Sequence, residues 1–154
     1  MIKNRRVHER VLRQGSMALD LESMMQRSDE LGEESILPSL SDFIEIKALS
    51  PLFEPNWDEL GELDATIDLF CSWLDEQPIS GMSYETHRIE DKSPVLLVTI
   101  EGTGPGEAIF YSHLDKQPSK PELWSEGLHP LKAVRRDPWL YGRGSIDDGY
   151  GGYL

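Results

Sequence analysis

Two stretches hold residue types that could do chemistry. The first is Tyr111-Ser112-His113-Leu114-Asp115-Lys116-Gln117-Pro118. A histidine followed two residues later by a carboxylate fits the arrangement in which one ring nitrogen binds a metal and the other is held by a hydrogen bond. Taken alone, His-x-Asp more often marks a satisfied edge histidine. The second stretch is Tyr141-Gly142-Arg143-Gly144-Ser145-Ile146-Asp147-Asp148-Gly149-Tyr150-Gly151-Gly152. Its glycines permit tight turns and close backbone approach. Adjacent carboxylates repel unless a cation or a donor relieves them, and a metal ion does so directly. An isolated Asp-Asp is more often a solvated pair. The stretch is not a phosphate loop, because Gly-x-x-x-x-Gly-Lys is absent and the acidic pair would oppose phosphate.

The elements that must position these residues are read from periodicity. Residues 16–33 predict a weak helix with Leu21, Met24 and Met25 on its apolar side. Pro38 opens a second helix, Ser39 to Leu49, with Ser39 and Asp42 as a variant capping box and Ser50-Pro51 as its stop. The clearest helix runs from about Asp58 to Glu76, where Leu60, Leu63, Ile67, Phe70 and Leu74 form one apolar stripe with Trp73 beside it. A strand-rich half follows. Met82 to Ile89 alternates as a strand does, and Asp91-Lys92-Ser93-Pro94 is a turn. Val95 to Ile100 is nearly all apolar, as a strand covered on both faces is. Ala108 to Tyr111 reads as a further short strand, with His113 just past its end, where ligands of open α/β sheets collect. Residues 116–138 are proline-rich and lack a period; long loops of this kind are often functional. Helices followed by such strands predict an α/β sandwich.

Composition limits the classes of function. The chain has 154 residues, about one domain's worth, and a formal charge of −13. That balance argues against a general nucleic-acid binder, which needs a basic face. No apolar run reaches membrane-spanning length, and the start has no secretory h-region. A single cysteine, Cys71, excludes an intrachain disulfide, fits a reducing cytoplasm, and reads as a core thiol. Residues 1–13 are basic, with Lys3, Arg5, Arg6, Arg10 and Arg13 against Glu9. They suit an arm for an acidic partner, or a leader ahead of a start at Met17.

Together, the two stretches resemble the di-zinc metallopeptidase family that includes carnosinase, aminoacylase and acetylornithine deacetylase. That family pattern runs from a strand ending in Gly-His-x-Asp, through a loop with Trp and Pro, to Tyr-Gly-Arg-Gly and an Asp. Here the matching residues are His113-Leu114-Asp115, the loop with Trp124 and Pro130, and Tyr141-Gly142-Arg143-Gly144 with Asp147. Asp-Lys-Gln-Pro at 115–118 and Asp-Asp-Gly-Tyr at 147–150 resemble a carnosinase-like branch, and Ser50-Pro51 with Phe53, Pro55 and Trp57 fits the family's N-terminal region. The resemblance covers about residues 38–154, leaving 1–37 as a leader, poorly ordered or weakly helical. It implies an incomplete three-layer α/β zinc-exopeptidase catalytic domain, with N-terminal helices followed by a mixed sheet. His113 would bind one zinc, and Asp147 would bridge two. Asp115 would serve catalysis by holding the His113 ring. Arg143 is expected to pair with a carboxylate. The implied substrate is a peptide or an N-acyl amino acid, and the family often dimerises through a separate domain.

Departures bear on activity. Ser112 replaces the family's usual glycine, and His129-Pro130-Leu131 stands where the branch has Gly-Pro-Trp. Asp147 lies seven residues before Leu154, so only two ligand positions of the family pattern fall within this chain, and the Glu-Glu pair that supplies the general base does not. His87 and His129 are the available substitutes, and both read as solvated. The expectation is an N-terminal fragment that binds zinc weakly or not at all and does not hydrolyse peptides alone. The alternative is a truncated, non-catalytic protein that joins a partner through bare strand edges and an uncovered apolar face on the 58–76 helix.

Overall fold

The computed structural model describes residues 20–146, and their contacts separate a unit ending at Ser35 from one beginning at Ile36. In the first unit, α1 spans Leu21–Leu31. The carboxylate of Asp20 caps it by accepting from the Ser23 backbone N–H at 3.1 Å. Leu21, Met24 and Met25 lie on its surface and no residue of α1 is buried. A π-helical turn occupies Gly32–Ile36.

In the second unit, α2 runs Leu37–Glu45. It starts and stops earlier than the sequence predicts. Pro38 occupies the first turn, where a missing N–H costs nothing, so Ser39 falls inside the helix and is buried rather than acting as a cap. The helix ends at Ile46, which turns extended at ψ 125°, well before Ser50-Pro51.

The predicted 58–76 helix is interrupted. A short helix, α3, spans Trp57–Leu60, and α4 spans Glu62–Asp75. Between them Gly61 sits in the left-handed region at φ +65°, which glycine adopts without penalty. The break takes Leu60 off the stripe, and it is 50% exposed. The rest of the stripe (Leu63, Ile67, Phe70 and Leu74) is buried. Trp73 stacks on Phe70 with ring centroids 5.7 Å apart. The apolar face of α4 is therefore covered, contrary to the expectation that it stands bare. Its cover is α2, whose Leu40, Phe43 and Ile44 join Phe70 and Leu74 in one core cluster.

Two antiparallel hairpins follow. β1 (Met82–His87) pairs with β2 (Val95–Ile100) in a register that sets Tyr84 opposite Val98 and Thr86 opposite Leu96. Met82, Tyr84, Leu96 and Val98 pack on the core cluster. The Tyr84 hydroxyl donates to Asp75 at 2.6 Å, and Arg88 reaches Asp64, so two polar contacts tie the hairpin to α4. The other face of β2 is open to solvent at Val95 and Leu97, so the expectation of cover on both faces fails. β3 (Val134–Arg136) pairs with β4 (Trp139–Tyr141).

The α/β class stands in this coarse form: helices with small antiparallel sheets. The mixed sheet is not formed among the described residues. Their one parallel pairing is an isolated bridge between Leu49 and Lys116. Ala108–Tyr111 is not a strand either; Ile109, Phe110 and Tyr111 are 93%, 86% and 86% exposed. A strand needs a neighbour for its backbone hydrogen bonds, and apolar content alone provides none. Among the described residues, no helix is long and apolar enough to cross a membrane.

Candidate functional site

The site is built on an extended stretch from His113 to Lys116. Side chains two apart on an extended chain share a side. Leu114 packs on the core cluster and Lys116 is buried, and His113 and Asp115 alternate with them, each about a third exposed at the side chain. Leu114 and Lys116 thus hold the stretch down while His113 and Asp115 lie together. The His113 Nδ1 is 3.2 Å from an Asp115 carboxylate oxygen and 3.0 Å from the Asp115 carbonyl oxygen. That is the contact by which a carboxylate fixes a ring's orientation and tautomer.

Lys116 is the residue that sequence reasoning passed over as part of a motif. It is only 2% exposed. Its ammonium donates to the carbonyls of Phe43 and Ile46, each at 2.5 Å, and reaches that of Ile44 at 3.4 Å. It also lies 3.9 Å from the centroid of the Phe43 ring. These carbonyls belong to the end of α2, whose last turn has no basic residue of its own. The last carbonyls of a helix lack intrahelical partners and favour a cation. Burial pushes the Lys116 ammonium down to about 7, with Arg143 adding to the fall and Glu62 opposing it. The Lys116 backbone is held too. Its N–H donates to Ala48 O at 2.7 Å, and its carbonyl accepts from Ser50 N–H at 2.9 Å.

The Tyr141–Gly144 turn lies against the same end of α2. A Cβ on Gly142 would come within 2.4 Å of the Ile44 Cγ2. A Cβ on Gly144, which sits at φ +87°, would meet Phe43 at 3.0 Å and the Lys116 Cε at 3.2 Å. The glycines of this motif are therefore required by contact with α2. The Arg143 backbone N–H donates to Pro130 O at 2.7 Å. Its Nε is buried without a hydrogen-bond acceptor, and the neighbouring carboxylates Asp147 and Asp148 lie outside the described residues. Arg143 borders two clefts. One, of about 270 Å3, is lined by Trp124 and Gly142–Ile146. The other, of about 190 Å3, lies between the Gln117–Ser119 stretch, Pro130 and Leu49.

Asp147, the second implied zinc ligand, and Asp148 lie outside the described residues. Among those described, no three of His, Cys, Asp and Glu are grouped so as to hold a metal ion. His113 with Asp115 fits the surroundings of one zinc-bound imidazole. A closed site takes three or four ligands, so these residues do not fit a zinc ion by themselves. The proposed substitutes are engaged locally. His87 pairs with Glu85 at 3.2 Å on β1, and the His129 ring accepts from the Leu131 N–H at 3.1 Å. Cys71 is only partly buried, and its thiol is raised by burial and by Asp68 and Asp75. No protein-family model matches this chain, and no curated protein matches it.

Proposed function

We propose that the chain carries the N-terminal part of a zinc-dependent metallopeptidase catalytic domain, of the kind that hydrolyses peptide or amide bonds as dipeptidases and carboxypeptidases do. The observation that carries this is the contact of His113 Nδ1 with Asp115, 3.2 Å to the carboxylate. It directs the ring as a metal-bound imidazole is directed, with Nε2 the atom to take zinc. The order and spacing of the two motifs support it as well. In this proposal His113 and Asp147 are metal ligands, Asp115 orients the ring, and residues supplied beyond these must complete the site. The 154 residues alone are expected not to hydrolyse dipeptides. The three-layer domain, the peptide or N-acyl amino acid substrate and a cytoplasmic location belong to the same proposal.

Zinc titration of the chain against a competing chelator tests it. The expected result is weak binding that His113→Ala abolishes and Asp115→Asn weakens about tenfold or more. Binding that is indifferent to His113 would sink the proposal.

A second reading has its own observation. Ile109, Phe110 and Tyr111 form a nearly fully exposed apolar run, and Val95 and Leu97 stand half exposed on one face of β2. Such surface suits a non-catalytic protein that associates with a partner chain. A monomeric chain that melts sharply at all concentrations would count against it.

A further inference from the structure

We propose that Lys116 is a positioning residue: by gripping the end of α2 it sets where the His113–Asp115 pair stands, at the point where Gly144 also meets its side chain. This rests on the metal-site reading above and adds to it the part that holds the two motifs in register.

Three segments meet at Lys116. Its backbone is bonded to Ala48 and Ser50, and its ammonium to Phe43, Ile44 and Ile46. Gly144, three residues before Asp147, lies against its Cε, and an added Cβ there would stand 3.2 Å from it, a tight contact. Asp115 is its immediate neighbour in the chain, and Asp115 holds the His113 ring. Any movement of the Lys116 backbone is therefore passed to that ring.

The choice of residue argues for more than filling space. A buried ammonium is costly, and a methionine would fill the same volume without that cost. What lysine adds is directional. Its donors meet three carbonyls grouped at the end of α2, so the stretch cannot slide along α2 without losing them. Arginine would not substitute, because its flat fork does not converge on carbonyls grouped around one point.

The test uses the 154-residue chain labelled with nitrogen-15. The His113 ring shifts are read at one pH in wild type, Lys116→Met, Lys116→Arg and Asp115→Asn, with unfolding followed in parallel. Each protein is also titrated with zinc alone. In a folded Lys116→Met chain, His113 is expected to move toward the shifts of Asp115→Asn, and zinc affinity to fall about tenfold or more, the scale for losing support to a ligand. Lys116→Arg should not restore either. A folded Lys116→Met chain with wild-type His113 shifts overturns the proposal. If Lys116→Met does not fold, Gly144→Ala, whose added Cβ would crowd Lys116 Cε at 3.2 Å, must move the His113 shifts, and unmoved shifts overturn it equally. If zinc binding proves indifferent to His113→Ala but Lys116→Met still moves His113, the metal reading fails and the positioning role stands. If both bind zinc equally and His113 is unmoved, only the positioning role fails.

Discussion

Gly142→Ala isolates the contact between the glycine-rich turn and α2. Gly142 has no left-handed backbone requirement, so its cost is steric alone. An added Cβ would stand 2.4 Å from Ile44 Cγ2, 2.9 Å from Cδ1 and 3.1 Å from Cγ1. Ile44 is fully buried within the core cluster and cannot swing into solvent. Overpacking a core by one carbon ordinarily costs about 1–3 kcal/mol, and this contact belongs at the upper end, about 3 kcal/mol. Against a total of about 5–15 kcal/mol, that is a large loss. Urea denaturation followed by tryptophan fluorescence measures it. The midpoint should fall with an unchanged slope. Gly102→Ala, with nothing within 4 Å of the added carbon, is the control and should be neutral or slightly stabilising. In Ile44→Ala the clashing atoms are gone, so adding Gly142→Ala to it should cost less than about 1 kcal/mol. An unchanged midpoint for Gly142→Ala, or full additivity in the double variant, would refute the contact.

Other outcomes follow from the same geometry. Folded Lys116 titrates at about 7 and its unfolded counterpart at 10.5, so between these values the unfolded chain holds a proton that the folded chain has released. The contribution of Lys116 to stability should therefore be flat below pH 7 and rise from pH 7 to 9, and Lys116→Met should lose that rise; above pH 9 the raised Cys71 and Tyr84 groups pull the other way. Phe70→Ala should cost about 3–5 kcal/mol, whereas Leu60→Ala, beyond the Gly61 break, should cost less than about 1 kcal/mol, both read from denaturation midpoints. Phe110→Asp should leave stability within about 0.5 kcal/mol and lower any self-association in sedimentation, while a large destabilisation would show that Phe110 is packed.

What the sequence made legible is mostly local. The stripe Leu63, Ile67, Phe70, Leu74 marks one helix face because its period needs no partner to be seen. The hairpin is legible from alternation and from the turn at Asp91–Pro94. The His113–Asp115 contact follows from two residues on one side of an extended chain. Elsewhere the deciding information lies far away in the chain. Gly61 breaks a helix that its neighbours favour, because one left-handed residue outweighs the preference of those flanking it. Ala108–Tyr111 has strand composition, yet a strand exists only where another backbone meets it. Lys116 reads as one more charge beside Asp115, and nothing near it shows that its ammonium ends on carbonyls 70 residues or more away.

That span has a kinetic consequence. The two hairpins, and α3 with α4, form between near neighbours, and such elements assemble in microseconds. The seam joining Lys116 to Phe43 closes a loop of 73 residues. Loop closure of that length is paid before its contacts reward it, so the seam is expected to close after the transition state. Substitutions at Lys116, Gly142 or Gly144 should then hasten unfolding and leave the folding rate nearly untouched. The corner that holds His113 would be the last part of the protein to form and the first to open.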